Sequence, residues 1–469
     1  MLHLSSAILE PRSGMNSRGT VLAEVPALIA LAVPVVAGLV GGSLLSVIDS
    51  VMLGPLGEVP LAAASLTQSV LVIFYAGLYG LVGAVGILTG QAYGAGDRQR
   101  ASGILRHGLV IGLAGGVAGA LAMVASLFLL PYTGQPDEVM AAIPVYWIAM
   151  SLLLVPFTLT MVIKQFLDSI GRPWMGAFLT FIPVVLNIPL NWLLIYGRFG
   201  FPQLGLVGAG LASLAAFAGG FVLMLLYLRY GASMAHFRAA IKLHGGGYAE
   251  LTREGYPMSI QYLAEGSSVA IAGLLIGLLG ATALAANQIV FSVGVLVYMA
   301  PLGMSGAVSI RIAQAVGEGA THRIRAIGLA GIAVVTLWML TFTLIMIFWG
   351  EPISSAFVNE PPVIAAATAM FVAVGIMQVF DGLQSVSLGA LRGILDNRWP
   401  TRVSLFSYWL IALPLSALFG FGLGFGAPGI WAGFGIGIGV AGVLLIRRFM
   451  AQTRKFNQPV SLKPTPSTA

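Results

Sequence analysis

Three acidic residues lie inside long apolar segments of the sequence, where charged side chains are costly. They are Asp49, Glu265 and Asp381, and no lysine or arginine lies at a similar depth to pair with them. A charged side chain at the centre of a bilayer costs at least about 2.5–3.5 kcal/mol, so acids at such positions predict a function. For Asp49, a predicted helix end lies close by, and a position facing the lipid headgroups is the competing interpretation.

Two kinds of chemistry are open to such acids. A carboxyl group that is removed from water takes up a proton more readily, and it can then exchange protons near physiological pH. Alternatively, two carboxylates together with a hydroxyl group and backbone oxygens can bind a hard cation such as sodium. Either chemistry couples an ion gradient to a conformational change. Carboxylates free of the ion would attract a cationic cargo, and competition between ion and cargo gives antiport.

The composition predicts that these acids belong to a membrane protein. Of the 469 residues, 58% are hydrophobic and 8% are charged, and the mean hydropathy is +0.95. Soluble domains carry roughly 25% charged residues, so a soluble enzyme and a disordered protein are both excluded. A spanning helix needs about 20 apolar residues. Twelve segments meet this requirement, at residues 27–50, 61–91, 104–131, 141–168, 174–197, 205–230, 251–279, 284–313, 324–349, 363–391, 402–420 and 428–449.

The basic residues predict which side of the membrane each loop faces. If the N-terminus is cytoplasmic, 22 of the 23 lysines and arginines fall in cytoplasmic loops or adjoining helix ends, and Arg198 is the exception. Such an excess of positive charge marks the cytoplasmic face, so both termini are predicted to be cytoplasmic. The basic residues are spread over every inner loop rather than clustered on one face. A nucleic-acid partner is therefore excluded despite the net charge of +7.

A repeat divides the chain into two similar halves. The stretch QAYGAGDRQR at 91–100 resembles QAVGEGATHRIR at 314–325, and Gln91 and Gln314 lie 223 positions apart. A leucine and a proline also occur 223 positions after Leu61 and Pro34. The stretch LDSIGRP at 167–173 resembles LDNRWP at 395–400, with a spacing of 227–228. Because each half has an even number of predicted helices, both halves start on the same side of the membrane. The repeats are therefore parallel, as in many transporters.

The predicted fold is an all-α polytopic membrane protein with twelve transmembrane helices in two homologous six-helix lobes. The predicted segments are a cytoplasmic N-terminal segment (1–26), an N-lobe (27–230), a cytoplasmic linker (231–250), a C-lobe (251–449) and a disordered cytoplasmic tail (450–469).

The remaining residues offer no catalytic or cofactor site. The absence of cysteine excludes disulfides, thiolate metal sites and a catalytic thiol. None of the five histidines stands at metal-ligand spacing. The glycine-rich stretches at 420–426 and 433–439 follow no strand and have no P-loop lysine, so they are not phosphate loops. We expect neither an enzyme nor a resident cofactor.

Several long motifs resemble the multidrug and toxic compound extrusion (MATE) family, and in particular its NorM branch. The resemblance covers the chain outside its termini. The motifs are SVIDSVMLG (46–54), QAYGAGD (91–97), LNIPLNWLLIYGRFGFPQLGLVGAG (186–210), GAVSIRIAQAVGEG (306–319), MQVFDGLQ (377–384) and ALRGILDNRWP (390–400). The resemblance implies a bacterial inner-membrane antiporter that exports amphipathic, often cationic drugs. It also implies N- and C-lobes that form a V-shaped central cleft.

The resemblance also implies roles for particular residues of this chain. The acids of the family's first, seventh and tenth helices fall on Asp49, Glu265 and Asp381, the same three acids that the charge distribution singles out. The asparagines of its fifth helix match Asn187 and Asn191, which would be polar groups of the cleft. By spacing alone, Gln288 stands at a polar cargo contact and Tyr298 at an aromatic position of the cation site. Two acids at Glu265 and Asp381 imply that this pair binds the transported sodium, and proton use at Asp49 stays open.

Three other functions compete with cation-coupled drug antiport. A major-facilitator-type exporter also has twelve helices, but its loop after the second helix requires a glycine where this chain has Gln99. A lipid-linked precursor flippase of the same superfamily would need arginines in its cavity, whereas every arginine here is assigned to a loop or a helix end. A passive channel explains paired lobes with lone acids poorly. The expected partners are small-molecule drugs, the coupling ion and the lipid bilayer, and the expected state is a monomer.

Overall fold

The twelve predicted spans are all helical in the computed structural model, which describes residues 17–133, 136–238 and 247–456. Twelve helices in this part of the chain are long and apolar enough to cross a membrane. They are α1 (Ser17–Leu53), α2 (Glu58–Gly94), α3 (Arg98–Ser126), α4 (Asp137–Ser169), α5 (Pro173–Tyr196), α6 (Gly205–Tyr230), α7 (Gly247–Gly277), α8 (Ala281–Gly317), α9 (Thr321–Ser355), α10 (Pro361–Gly393), α11 (Arg398–Gly422) and α12 (Gly426–Phe456).

Glycines in the left-handed conformation separate several of these helices. After α2, Gly96 has φ of 74°, and Gly319 after α8 has φ of 71°. Glycine reaches this region without steric cost, and the reversed backbone there ends a helix. Asp97 then caps α3, because its side chain accepts a hydrogen bond of 2.8 Å from the backbone N–H of Arg100. The repeated glycines of the sequence therefore mark the same helix boundary in both halves.

The eleventh span is less regular than the sequence predicts. Within Arg398–Gly422, the segments Phe406–Ala412 and Leu418–Gly422 form π-helical turns on either side of Leu413–Ala417. Pro414 lies between the two π segments and has no N–H to donate to the helix ladder. Such π turns often accompany functional sites, because the wider turn redirects side chains.

Helices α1–α6 and α7–α12 form the two lobes. In the N-lobe α2 packs on α4, and in the C-lobe α8 packs on α10. The cores of the lobes are mostly separate, but some buried clusters contain residues of both lobes. Leu28, Leu31 and Ala32 of α1 are buried in the C-lobe core together with residues from Ala272 onwards. The first helix of the chain therefore contributes to both lobes.

Helices α4 and α10 occupy equivalent places, and each has 33 residues. Their ends, Ser169 and Gly393, correspond at a spacing of 224, so Asp168 is the counterpart of Arg392. The spacing of 227–228 that the sequence suggested for LDSIGRP and LDNRWP is therefore wrong in structural terms. It pairs Asp168, buried at the end of α4, with Asp396 in the loop that follows α10.

The last helix is longer than predicted. α12 continues to Phe456, so the prediction of a disordered tail from 450 is wrong for its first seven residues. Two contacts account for the extension. Arg448 donates from Nε to Asp396 Oδ2 at 2.8 Å, and buried Thr453 donates from Oγ1 to the Phe449 carbonyl at 3.0 Å. Residues 457–469 lie outside the described part of the chain, as do 1–16 of the N-terminal segment and 239–246 of the linker.

The lobes meet at the end of the bundle that carries the loops at 95–97, 170–172, 318–320 and 394–397, here called the basic end. Gln91 donates from Nε2 to the carbonyl of Gly393 at 3.4 Å, across the lobe boundary. Its repeat counterpart Gln314 donates to the carbonyl of Ser169 at 2.9 Å in the opposite direction. Each glutamine thus caps the last turn of a helix in the other lobe, and the two bonds are related by a pseudo-twofold axis.

Glycines allow this close approach of α2 and α8. A side chain at Gly94 would collide with the Gln314 carbonyl, and one at Gly317 would collide with the Gln91 carbonyl. The repeat QxxGxG therefore has a structural role in both halves. Its glutamine reaches into the other lobe, its first glycine admits the partner helix, and its second glycine ends the helix.

Ion pairs reinforce the same junction. Arg100 of α3 pairs with Glu250 of α7 at 2.9 Å. The repeat counterpart of Arg100, Arg323 of α9, pairs with Glu24 of α1 at 2.8 Å, and Arg311 of α8 pairs with Glu24 at 3.0 Å. Each lobe thus offers an arginine to a glutamate on the first helix of the other lobe.

Candidate functional site

The first predicted acid, Asp49, lies in a polar network inside the N-lobe. Asn191 donates from Nδ2 to Asp49 Oδ1 at 2.6 Å, and Ser213 donates from Oγ to Asp49 Oδ2 at 3.0 Å. Asn187 donates to the Ser213 hydroxyl at 2.9 Å and accepts from Asn191 at 2.8 Å. Both asparagines are fully buried, and Asp49 is 8% exposed. The carboxylate therefore faces neutral donors in the protein interior and does not lie among lipid headgroups.

The helices explain why these side chains meet. Asn187 and Asn191 are four residues apart and so project from the same face of α5. This face packs against α1, which carries Asp49, and against α6, which carries Ser213. Hydrogen bonds from two neutral donors partly compensate the Asp49 carboxylate for the absence of a cationic partner.

The other two predicted acids lie together in the C-lobe. Glu265 of α7, Tyr298 of α8 and Asp381 of α10 line a single cavity of about 200 Å³. The Tyr298 hydroxyl lies close to Glu265 and Ser385. Glu265 and Asp381 are close enough to interact electrostatically. When both are ionised they repel each other, and a cation between them relieves the repulsion.

Aromatic and amide groups complete the wall of this cavity. Tyr408 from the first π segment of α11 lines it and accepts a hydrogen bond of 2.7 Å from Gln384 Nε2. Trp431 of α12 lines it as well, and its Nε1 donates to Asn287 Oδ1 at 2.9 Å. Gln378 donates from Nε2 to the carbonyl of Gly294 at 3.0 Å. The result is a mostly apolar pocket with two carboxylates, the composition that suits an amphipathic cation.

The structure does not bring Gln288 into this wall. Its side chain is exposed on α8, on the same helical face as the cavity residues Phe291 and Val295, one and two turns away. The neighbouring Asn287 points into the lobe instead and bonds Trp431. A cargo contact at Gln288 would therefore lie outside the cavity.

The oxygen donors present limit the kinds of ion that the cavity can hold. In residues 17–133, 136–238 and 247–456, no group of three or more His, Cys, Asp or Glu side chains is placed to hold a metal ion. Glu265 and Asp381 with the Tyr298 hydroxyl offer three side-chain oxygen sources. This set fits a weakly held, transported monovalent cation better than a permanently bound transition metal.

Two buried basic residues lie deeper than the charge pattern indicated. Lys164 and Arg392 are near the basic ends of α4 and α10, where the sequence places them, but they are only 6% and 7% exposed. Lys164 Nζ pairs with Asp168 Oδ2 at 2.6 Å on its own helix. The four-residue spacing of Lys164 and Asp168 was a readable signal for this pair. Counting helix ends gives no depth, so the burial was missed.

Arg392 lies in a second, small cavity of about 50 Å³ between the lobes, here called the junction cavity. Its Nη1 donates to the Tyr262 hydroxyl at 2.8 Å, and its Nη2 donates to Gln261 Oε1 at 3.2 Å. The guanidinium carbon lies 4.7 Å from the centre of the Tyr262 ring. Tyr262 in turn meets Tyr79 of the N-lobe edge to face, with ring centres 5.5 Å apart.

Two lobes of six spanning helices, each with buried carboxylates, define the chain as a multi-pass membrane protein of the transporter class. The sequence profile described as MatE matches residues 34–193 and 257–418, once in each lobe. The two matches begin at the same spacing of 223 that separates Gln91 from Gln314.

Relatives of known name agree with this assignment. The chain is 31% identical over 96% of its length to the "Probable multidrug resistance protein NorM" of a Synechococcus species, and covers 99% of that protein. It is 32% identical over 91% of its length to the protein of the same name from Rhizobium meliloti, covering 93% of that relative. The crystal structure of the eukaryotic MATE transporter AtDTX14 superposes with a TM-score of 0.83 at 22% identity, over 93% of this chain and 99% of that one.

The chain belongs to the MatE family, the multidrug and toxic compound extrusion family that its motifs resemble. The predicted fold of twelve helices in two lobes is confirmed. Membership of this family excludes the major-facilitator-type alternative.

Proposed function

We propose that the protein exports amphipathic and cationic drugs in exchange for sodium or protons, by alternating access of a cleft between its lobes. The observation that carries this proposal is the C-lobe cavity, where Glu265 and Asp381 share one mostly apolar pocket with Tyr298 and Trp431. The relatives named as multidrug resistance proteins support the same substrate class.

Competition at the two carboxylates supplies the coupling. An organic cation and a sodium ion or proton each neutralise the negative charge of the pair, so binding of one weakens binding of the other. The cavity of about 200 Å³ holds a small ion easily, while a drug-sized cation fills it and extends into the cleft. We therefore place the transported sodium at Glu265 and Asp381. Asp49 is the second site at which a proton or a cation acts.

The lobe junction supports the alternating movement. Its hydrogen bonds and ion pairs are polar contacts between whole lobes and can be exchanged for water when the basic end opens. With the basic end closed, the cleft faces the opposite side. We place the basic end in the cytoplasm of a bacterial cell, with both termini there, because the basic residues of the chain collect at this end. The closed state is then the one that releases drug outward.

The two buried basic residues give little support to a function as a lipid-linked precursor flippase. Lys164 is engaged by Asp168, and Arg392 by Tyr262 and Gln261. The junction cavity of about 50 Å³ is also too small for a pyrophosphate group. Drug antiport thus accounts for more of the buried polar groups than lipid flipping does.

The test measures ethidium transport in proteoliposomes, with a sodium gradient or a proton gradient imposed separately. Glu265→Gln combined with Asp381→Asn should abolish transport driven by the coupling gradient, because the double variant has no anionic site for the cation. The matched control is Glu351→Gln combined with Glu360→Gln. It removes two exposed acids at the other end of the bundle and should transport like the wild type. Full gradient-driven transport by the double variant in the cavity would refute the proposed site.

A further inference from the structure

The guanidinium of Arg392 lies between the C-lobe carboxylates and the basic end of the bundle. Arg392 and Asp381 are eleven residues, or about three turns, apart on the same face of α10. The two residues that hold the guanidinium, Tyr262 and Gln261, lie on α7 about one turn before Glu265. Arg392 therefore ties the two acid-bearing helices together on the side of the cavity that faces the basic end.

Arg392 has one hydrogen-bond donor without a partner and a positive charge without an ion-pair partner among the described residues. Its Nε is buried and has no hydrogen-bond partner within the described residues. No ion pair of the described residues involves Arg392, and Asp168, the acid that also lines the junction cavity, is paired with Lys164. Glu265 lies about one turn beyond Tyr262 on α7, which brings its carboxylate close enough for its charge to interact with that of Arg392. A buried cation is costly, and in addition to the bonds to Tyr262 and Gln261 an attraction to Glu265 offsets part of that cost.

We propose that Arg392 is a positioning residue that acts as a built-in competitor of the coupling cation at Glu265 and Asp381. This inference rests on the proposed cation site and adds to it a residue that sets its affinity. When the site is empty, the guanidinium supplies the positive charge that the two carboxylates lack. When sodium binds, Glu265 attracts Arg392 less, and the guanidinium depends more on Tyr262 and Gln261.

The same residue connects the ion site to the lobe junction. Tyr262 is the side chain on which the guanidinium rests, and its ring meets Tyr79 of the N-lobe. A shift of Arg392 toward or away from Glu265 changes the support of Tyr262 at this contact. Occupancy of the cation site is thereby transmitted to the place where the lobes touch, without any contact between the ion and the N-lobe.

The test measures equilibrium binding of radioactive sodium to the purified full-length protein in detergent, without any gradient. Arg392→Gln should lower the half-saturating sodium concentration by about tenfold or more, the size expected when a unit charge within about 12 Å is removed at an effective dielectric of about 20. Arg392→Lys keeps the charge and should stay within about twofold of the wild type. Arg402→Gln removes an exposed arginine of α11 and should leave sodium binding unchanged.

A gain in affinity separates this role from a structural one, because damage to the fold weakens binding rather than strengthening it. Should Arg392→Gln be poorly folded, Tyr262→Phe provides a second measurement. This substitution removes one hydrogen bond to the guanidinium, so Arg392 should be attracted more strongly to Glu265. The half-saturating sodium concentration should therefore rise. Unchanged or weaker sodium binding by Arg392→Gln would overturn the inference. An absence of Glu265-dependent sodium binding in the wild type would also overturn the inference. The transport proposal would then be tested separately, by ethidium transport driven by a proton gradient.

Discussion

At the scale of single residues, the network around Asp49 depends on neutral donors rather than on a countercharge. Asn191→Leu keeps the number and branching of the side-chain heavy atoms but removes the donor that lies 2.6 Å from Asp49 Oδ1. Leaving a buried carboxylate oxygen without its donor costs about 1–3 kcal/mol or more. We expect ethidium transport to fall at least tenfold and the Tm in detergent to drop, as measured on the same preparation.

Two comparisons sharpen this prediction. Ser213→Ala removes the weaker bond of 3.0 Å and should have a smaller effect in the same direction. Thr341→Ala removes an exposed hydroxyl that bonds the Leu337 carbonyl of its own helix, and it should leave both transport and Tm unchanged. If Asn191→Leu transports at the wild-type rate, the bond to Asp49 has no part in function.

The acids of the site were predictable from the sequence because lone carboxylates stand out in apolar helices. Ser213 and Tyr408 were not, since serine and tyrosine are common in membrane helices and nothing in their spacing distinguishes them. Their roles come from neighbours on other helices. In addition, Tyr408 lies in a π-helical segment, which the sequence does not predict.

At the scale of helices, the crossing of α2 and α8 depends on Gly94 and Gly317. Gly94→Val places a branched side chain against the Gln314 carbonyl, where even a methyl group has no room. Overpacking of this kind costs about 1–3 kcal/mol, so the state closed at the basic end should be disfavoured and transport should fall.

The measurement for this variant is ethidium transport together with exposure of the junction to a water-soluble thiol reagent. Gln314→Cys provides the reporter, and the natural absence of cysteine makes it the only thiol. Gly103→Val on α3 is the matched control, because open space surrounds that glycine. Equal reactivity of the reporter in the Gly94 and Gly103 variants would contradict the role assigned to the crossing.

The sequence predicted the existence and order of the helices, since twenty apolar residues in a row have few other uses. It also predicted that the ends of α2 and α8 correspond, because Gln91 and Gln314 stand in long repeated motifs. It did not predict that these glutamines cap α10 and α4 of the opposite lobes. A repeat indicates that two segments are equivalent but not what each of them touches.

At the scale of the whole molecule, the ion pairs at the basic end should hold the lobes together. Glu24 is 7% exposed and bonds two arginines, whereas Arg100 and Glu250 are more open to solvent. Exposed pairs contribute about 0–1 kcal/mol, and breaking a buried pair costs more. Glu24→Gln should therefore open the basic end further than Glu250→Gln does, and the double variant should open it most.

Spin labels can report this opening. Gln99 and His322 are exposed repeat counterparts at the starts of α3 and α9, one on each lobe, and each can be replaced by a labelled cysteine. The distance distribution should gain a longer component in Glu24→Gln. As a control, Glu58→Gln at the opposite end should not change it. An unchanged distribution in the double variant would show that the pairs do not hold the junction.

The chain's first helix shares its core with the last half of the molecule. Leu28, Leu31 and Ala32 precede the whole C-lobe in the chain, yet they are buried against residues from Ala272 onwards. Domains generally fold in the order in which they are synthesised. Here that order is interrupted, because this part of α1 reaches its final core only after the C-lobe helices that pack on it have been made. Completion of the second lobe is then also the step that fixes the start of the first.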